Sequence, residues 1–162
     1  MRNRSMALVT RGDKILLVRL FSEGREFYSL PGGGIEPGET PGQAALRELK
    51  EECGVDGTLL RPLNTLNLLD GSQEHVFLVA VPPEQEARTG SDPETPPDEQ
   101  IIREACWRRL CELSEKDRAF LFSYGLLNVE GYFDLVISWG DRISWPLDES
   151  RRFPNDDGGI HV

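Results

Sequence analysis

Three glutamates, Glu48, Glu51 and Glu52, fall within the eight-residue stretch "RELKEECG" (residues 47–54). A helix through this stretch would place their carboxylates side by side, because at about 100° per residue Glu52 and Glu51 lie roughly 40–60° on either side of Glu48. Carboxylates three or four residues apart on a helix repel each other by roughly 0.2–0.5 kcal/mol per pair. The cluster is therefore either a solvated acidic face or a site that binds cations.

The surroundings of the three glutamates favour cation binding. Leu46, Leu49 and Cys53 lie on a separate arc of the same helix, so an apolar stripe for the core runs beside the carboxylates. A solvated face usually interleaves charges of both signs, whereas these acids form one patch. The patch follows "PGGGIEPGE" (residues 31–39), whose glycines predict a loop with free N–H groups suited to phosphate oxygens. Hard oxygen ligands favour Mg²⁺ or Mn²⁺ over zinc.

Composition limits the class of protein. The chain of 162 residues favours one main domain, and 28 acidic against 18 basic residues give a net charge of −10. This balance argues against nucleic acid as a partner, and it means that an anionic substrate would need a local cation. The three cysteines show no CxxC spacing and are expected to be reduced thiols. No apolar run is long enough to span a membrane, so we expect no membrane association and a cytoplasmic location.

Apolar and β-branched runs predict the strands that must position the glutamates. These runs cover residues 6–10, 15–20, 27–30, 57–69, 74–81 and 101–110. The turn signals "RGDK" (residues 11–14) and "DGSQ" (residues 70–73) predict two hairpins, one formed by residues 6–10 and 15–20 and the other by residues 57–69 and 74–81. Thr40, with Pro41 and Gln43 behind it, predicts the start of a helix that ends at Gly54, and Ser114 predicts the cap of a second helix through residue 122.

Two further segments complete the predicted organisation. Residues 82–100 hold five prolines and six acids, which predict an exposed loop, and "VISWGDRISW" (residues 136–145) predicts a tight hairpin. This order of strands and helices does not alternate as in a doubly wound sheet. It favours a mixed α/β (α+β) sandwich.

Counted from Gly33, the spacing matches a known signature. Five residues separate Gly33 from Glu39, and seven more lead to "RELKEECGV" (residues 47–55). This pattern resembles the Nudix box, G-x5-E-x7-R-E-U-x-E-E-x-G-U with U aliphatic, without departure at any specified position. The segments "SLPGGG" (residues 29–34) and "EACWRRLCEL" (residues 104–113) also resemble the usual Nudix layout. The chain beyond about residue 123 is not covered.

The resemblance implies a Nudix-type α/β/α sandwich with a mixed sheet, and hydrolysis of a nucleoside diphosphate linked to another moiety. It also implies metal ligands by position. Glu48 and Glu52 are the expected main ligands of Mg²⁺ or Mn²⁺, Glu51 is a further ligand or the base that activates water, and the Gly33 carbonyl joins the metal shell. Attack of water on a pyrophosphate phosphorus agrees with this chemistry, because it needs neutralised phosphate charge and an activated water.

The resemblance implies supporting roles for the other residues of the box. Arg47 is expected to orient a glutamate, and Glu39 to support the loop or the metal. Together with Glu39, the expected substrate-binding residues are Gly32, Gly33, Gly34 and Glu104.

Three glutamates are alternatives for the general base. In this family it moves between the box helix and a distant loop, so Glu51, Glu99 in the acidic loop, and Glu104 on the following strand are alternatives. Glu99 is preferred over Glu104, because a mobile loop can close over substrate. Surface decoration is the competing interpretation for both.

The substrate and assembly stay open at this stage. Nucleoside triphosphates, oxidised nucleoside triphosphates and sugar nucleotides are the candidates, and a catalytically silent nucleotide-binding or sensor module, or an acidic interaction domain without a ligand site, are the alternative functions. Phe27 and Tyr28 could line a base pocket or pack in the core, and Trp139 and Trp145 could stack on a base, contact a second copy or pack on the domain. We expect a domain over residues 1–125 and an extension over residues 126–162 that packs on it or forms a homodimer.

Overall fold

The chain forms two sheets and three helices in a computed structural model that describes residues 2–22, 24–90 and 102–138. Within these residues the strands, in chain order, are β1 (Arg4–Leu8), β2 (Thr10–Arg11), β3 (Lys14–Ser22), β4 (Arg25–Ser29), β5 (Gly32–Gly34), β6 (Thr58–Asn67), β7 (Gln73–Ala80) and β8 (Ile102–Arg109). The helices are α1 (Pro41–Cys53), α2 (Glu115–Ser123) and α3 (Tyr132–Ile137), with short 3₁₀ turns at Leu110–Glu112 and Leu126–Asn128.

The first sheet is mixed, as predicted. Its order is β5-β1-β7-β6, with β1 and β7 parallel and the other pairs antiparallel. In the second sheet β3 pairs with β2, β4 and β8, in each case antiparallel. The predicted hairpin of β6 and β7 is present.

Alternation along the strands gives the chain two cores, one on each side of the sheets. Ala7, Val9, Leu16 and Val18 face α1 and pack with Leu49 and other buried residues of that helix. The intervening residues of β1 and β3 face the other way and pack against α2 and the segment that follows it. The predicted three-layer α/β/α arrangement is thereby confirmed.

The capping residues of α1 behave as the sequence predicts. The Thr40 hydroxyl accepts a hydrogen bond from the backbone N–H of Gln43, and the Gln43 side chain accepts one from the Thr40 N–H. Gly54 ends the helix in the left-handed region at φ 69°. These caps fix where α1 begins and ends.

At the start of the chain one predicted hairpin is present only in part, and one predicted loop is wrong. Residues 6–10 do not pair with β3 as one strand, because the chain passes from one sheet to the other at Val9. Before Val9, β1 pairs with β5 and β7 in the first sheet. After Val9, β2 pairs with β3 across the predicted turn. The predicted loop at residues 31–39 contains β5, since Gly32–Gly34 pair with Arg4–Met6. Backbones approach so closely there that a Cβ on Gly32 would lie 2.5 Å from the Ser5 carbonyl oxygen.

The predicted C-terminal hairpin is also wrong where it can be compared. Val136 and Ile137, assigned to its first strand, lie in the last turn of α3, which begins after Gly131. The rest of that hairpin, including Trp139 and Trp145, lies outside the described residues. Leu126, Val129 and Tyr132 are buried in the same core as α2, so the start of the predicted extension packs on the domain, while the division at residue 125 stays a prediction.

None of the helices in the described part of the chain has both the length and the apolar composition needed to cross a membrane.

Candidate active site

Arg47 is the centre of the carboxylate cluster. Its Nε and Nη2 donate to the two carboxylate oxygens of Glu39, both at 3.0 Å, and Nη2 also donates to the Gly34 carbonyl at 2.9 Å. Its Nη1 donates to Glu48 Oε1 at 2.7 Å and to Glu51 Oε2 at 3.1 Å. The guanidinium therefore joins α1 to the segment between β5 and the helix, and it fixes the directions of three acids. Arg47 thus contacts glutamates of the box, as its predicted orienting role requires.

The electrostatics of Arg47 and its partners are mutually reinforcing. Hydrogen bonds from Arg47 and from the Glu36 N–H lower the pKa of Glu39, because both stabilise its ionised form. The carboxylates of Glu39 and Glu48 raise the pKa of Arg47 in turn, against the opposing effect of burial. Arg47 is thus a fixed cation in this cluster, and it holds Glu39 in its ionised form.

Glu52 is in a different environment from the carboxylates held by Arg47. Its Oε2 accepts a hydrogen bond from the Gly32 N–H at 2.9 Å, which ties the last turn of α1 to β5. Burial raises the pKa of Glu52 to about 7, and the charge of Glu48 adds to the effect, while the Gly32 N–H opposes it. A carboxyl group with this pKa is costly to ionise unless a cation joins it.

Gly33 brings the backbone of β5 against Glu48. A Cβ on Gly33 would overlap the carboxylate of Glu48, so a larger residue here would require that carboxylate to move away from β5. Glu48, whose side chain is 14% exposed, and Glu52 therefore border neighbouring residues of one strand. Two acids of the box converge on the glycine strand.

In the conformation observed, the carboxylates do not surround a common point. Among the described residues, no three His, Cys, Asp or Glu side chains are grouped so that they could hold a metal ion. Glu51 is turned to Arg47 and its side chain is 58% exposed, and one oxygen of Glu48 also faces Arg47. The donors nevertheless fit a hard divalent cation: Glu48 and Glu52 supply carboxylate oxygens beside Gly33, and the cost of ionising Glu52 is removed by a positive charge.

The other residues predicted to act here are distributed over the structure. Gly32 and Gly34 lie in β5. The Gly32 N–H already donates to Glu52 and is not free for phosphate in this conformation, and the Gly34 carbonyl accepts from Arg47. Glu39 supports the segment before α1 through Arg47. Glu99 lies outside the described residues.

Glu104 lies apart from the carboxylates of α1. It occupies the face of β8 opposite to Ala105, and Ala105 packs in the core beneath α1. Its Oε2 pairs with Arg19 at 3.2 Å and with Arg108 at 3.5 Å. If Glu104 binds substrate, as predicted from the sequence, it contacts the substrate on the face of β8 that points away from α1.

Arg4 is a residue near the site that the sequence did not indicate. Its Nη2 donates to the Gly32 carbonyl at 3.3 Å, and its Nε lies 3.8 Å from Glu74, which accepts a hydrogen bond from the Tyr124 hydroxyl. Its positive charge opposes the rise of the pKa of Glu52. Arg4 reaches the site because β1 pairs with β5 and β7, and this pairing cannot be recognised from the order of residues along the chain.

A groove of about 480 Å³ opens between β4 and α2. Phe27, Tyr28 and Phe120 contribute apolar surface to it. Its charged lining residues are of both signs: Arg25 and Lys116, with Glu26 and Asp117. Phe27 is about one third exposed, whereas Tyr28 is buried. The sequence left open whether these two aromatic residues line a pocket or pack in the core. Phe27 lines the groove, and Tyr28 belongs both to the core and to the wall of the groove.

The fold and part of the sequence are similar to those of known proteins. A crystal structure of an Ap4A hydrolase from C. elegans superposes with a TM-score of 0.59 at 19% identity, over 84% of this chain and 98% of that chain. At this identity the likeness establishes the fold alone. An octanoyltransferase from Myxococcus xanthus is 36% identical over 106 residues, which are 62% of this chain and 27% of that protein.

A second sequence relative matches a shorter part of the chain. Diphosphoinositol polyphosphate phosphohydrolase 3-alpha from Homo sapiens is 51% identical over 53 residues, which are 33% of this chain and 32% of that protein. The chain thus spans about a quarter to a third of the length of these two relatives. The family model of the NUDIX domain matches residues 1–127, which is most of the chain and includes the whole box, and the chain therefore belongs to the NUDIX domain family.

Proposed function

We propose that this protein hydrolyses a pyrophosphate linkage in a nucleoside diphosphate derivative, with Mg²⁺ or Mn²⁺ as cofactor. The derivative is a nucleoside triphosphate, an oxidised nucleoside triphosphate or a sugar nucleotide. The observation that carries the proposal is the convergence of Glu48 and Glu52 on Gly32 and Gly33, because it places two acids where a cation would relieve both their repulsion and the burial of Glu52. The membership of the family supports the same type of reaction.

In this proposal Glu48, Glu52 and the Gly33 carbonyl hold the cation. A divalent cation bound there would neutralise phosphate charge and lower the pKa of a bound water. Glu51 is the best placed of the described acids to accept the proton of the attacking water, because it is on the same turn as Glu52 and more exposed. Arg47 orients Glu48 and Glu51 together, so that their carboxylates keep a fixed relation to each other.

The groove between β4 and α2 is the proposed site for the part of the substrate that is not phosphate. Ser29 lines this groove, and Gly32 of the carboxylate site follows only three residues later. Three residues span at most about 11 Å, which is within the length of a nucleotide. Phe27 and Phe120 offer surfaces for a base, and Arg25 and Lys116 offer charge for its phosphate or sugar substituents.

A diphosphoinositol polyphosphate is a second candidate substrate. One of the sequence relatives, diphosphoinositol polyphosphate phosphohydrolase 3-alpha from Homo sapiens, is named for hydrolysis of this class of compound. In this chain Arg2 and Arg4 both donate to carbonyl groups of the segment formed by β5 and Ile35, so two guanidinium groups flank the glycine strand. A polyphosphorylated ring would need such a concentration of positive charge in a chain with a net charge of −10.

A panel of substrates tests the proposal. Nucleoside triphosphates, an oxidised guanosine triphosphate, sugar nucleotides and a diphosphoinositol polyphosphate would be incubated with the protein and Mg²⁺, and the products identified by ³¹P nuclear magnetic resonance. We expect hydrolysis of a phosphoanhydride in one class, and its loss in Glu52→Gln. Asp56→Asn removes a similar charge from an exposed residue that pairs with Lys50, and it should retain activity.

The alternative is a binding module without catalysis. Tight binding of nucleotides, with no hydrolysis of any member of the panel, would favour that function and contradict the proposal. Equal hydrolysis by the wild type and Glu52→Gln would remove Glu52 from the site. The cytoplasmic location and the homodimer stay predictions that this assay does not address.

A further inference from the structure

Residues 87–90, here called the tether, run beside the C-terminal end of α1. The Arg88 N–H donates to the Cys53 carbonyl and the Gly90 N–H donates to the Glu52 carbonyl, both at 2.8 Å. The last carbonyl groups of a helix have no N–H of their own helix to accept from. The cap residue Gly54 satisfies only the carbonyl of Lys50, at 2.9 Å. The tether therefore supplies hydrogen bonds that the end of α1 lacks.

Gly90 packs directly on the backbone of this turn. A Cβ at residue 90 would overlap the carbonyl oxygen of Glu51 and lie 3.0 Å from the Cα of Glu52. These are backbone atoms, so they cannot move aside without moving the helix or the tether. The contact requires glycine for its small size, and it is made to two glutamates of the box, Glu51 and Glu52.

The tether is also fixed to the rest of the domain. Thr89 Oγ1 accepts a hydrogen bond from the Ala105 N–H of β8 at 3.1 Å, and Ala87 packs against the core beneath α1. Just before the tether, the Gln85 side chain accepts from the Asp56 N–H at 2.7 Å, and its carbonyl accepts from Arg11 at 2.9 Å. The segment is thus bonded to β2, to β8 and to the residues after α1.

We propose that the tether is a positioning element that holds the last turn of α1, and with it the carboxylates of Glu51 and Glu52, in the geometry that the site needs. This inference rests on the proposed function of those two acids. Helix ends fray unless they are held, and α1 ends at Cys53, one residue after Glu52. Through Thr89 and Gly90 the position of this turn is set by β8 rather than by the helix alone.

Gly90→Ala tests the inference, with Mn²⁺ alone as the probe of the site. Hydrogen exchange of the metal-free variant should show loss of protection at the N–H groups of residues 54, 88 and 90, while those of β1 keep theirs. Mn²⁺ affinity, measured by electron paramagnetic resonance, should fall about tenfold or more, and kcat on the substrate found by the panel should fall further than KM rises, because a displacement of about 1 Å can cost about 100-fold.

Leu126→Ala is the control for a general loss of stability. Leu126 is fully buried in the core on the other side of the sheets. This variant should lower the melting temperature and leave the Mn²⁺ affinity unchanged. An equal loss of Mn²⁺ affinity in Leu126→Ala and Gly90→Ala would overturn the inference, because the effect would then follow stability rather than the tether.

A pair of variants at Thr89 gives a second test that does not depend on Gly90→Ala folding. Thr89→Ser keeps the hydroxyl that accepts from Ala105 and should retain wild-type Mn²⁺ affinity and kcat. Thr89→Val has a similar shape without the acceptor, and both quantities should fall. Equal values for the two variants would overturn the inference. Failure of the proposed function can be distinguished from failure of this inference. Absence of Mn²⁺ binding by the wild type would contradict the proposed function. Unchanged hydrogen exchange of residues 50–54 in Gly90→Ala would show that the tether does not hold the last turn of α1.

Discussion

Replacing Glu52 by glutamine should stabilise the metal-free protein at high pH. Burial raises the pKa of Glu52 from an ordinary value of 4.5 to about 7. Between these values the folded state keeps a proton that the unfolded state has released, so the free energy of unfolding falls as the pH rises through this window. Glutamine has a similar shape and can still accept from the Gly32 N–H, but it has no charge to bury.

The size of the effect follows from the two pKa values. At about 1.4 kcal/mol per pH unit, the interval from 4.5 to about 7 amounts to about 3 kcal/mol. The variant should therefore gain about 3 kcal/mol on the wild type between pH 4.5 and pH 8. For a protein of this size that gain corresponds to about 6–12 °C in melting temperature.

Urea denaturation in the presence of EDTA, at a series of pH values from 4.5 to 8, measures this difference. Glu51→Gln, one position earlier in a side chain that is 58% exposed, is the matched control and should not show the pH-dependent gain. With Mg²⁺ added, the order should change at pH 8, because ligand binding stabilises the wild type and not Glu52→Gln. If the stability difference between the wild type and Glu52→Gln did not vary with pH, the pKa of Glu52 would not be raised by burial and by the charge of Glu48, and the reasoning would be refuted.

Three further substitutions test other parts of the structure. In Arg47→Lys, the lysine cannot reproduce the forked contacts of Arg47 to its carboxylate partners. Mn²⁺ affinity or kcat, measured by Mn²⁺ titration and steady-state kinetics, should therefore fall by about 10–100-fold. Wild-type values of both would contradict the orienting role. Gly33→Ala places a methyl group on the carboxylate of Glu48 and should abolish Mn²⁺ binding in a protein whose circular dichroism spectrum is that of a folded chain. Thr40→Ala removes the helix cap and should cost about 1 kcal/mol in urea denaturation, without changing kcat.

The sequence was sufficient for features that depend on neighbouring residues. The capping box of Thr40 and Gln43, the left-handed Gly54 and the hairpin of β6 and β7 are local, and each is present. The box spacing from Gly33 also indicated correctly which family the chain belongs to, because its residues occupy fixed positions along one loop and one helix.

Features that depend on distant pairing could not be predicted. Gly32–Gly34 resemble a loop by composition, yet they form a strand because β1 provides a partner whose backbone only glycines can approach so closely. This pairing gives Gly32 its bond to Glu52 and brings Arg4 to the site.

The acidic segment shows the same limit. Its prolines and acids predict an exposed loop over residues 82–100, and residues 82–90 are indeed irregular. The described part is nevertheless bonded to α1, since the tether completes the hydrogen bonds of the helix end, and no pattern in the segment itself indicates that contact.

The C-terminal residues failed for a different reason. A Gly-Asp pair between two apolar runs is a common hairpin signal, but Val136 and Ile137 continue a helix that starts at Tyr132, whose side chain is anchored in the core. Tertiary packing overrides the local preference at that point.

Anomalous diffraction from crystals grown with Mn²⁺ would locate the cation in relation to α1. We expect a peak at coordination distance, about 2.1 Å, from carboxylate oxygens of Glu48 and Glu52 and beside the Gly33 carbonyl. A structure with Mn²⁺ bound elsewhere, or with Glu48 and Glu52 still bonded only to Arg47 and Gly32 at saturating Mn²⁺, would contradict the assignment of this site.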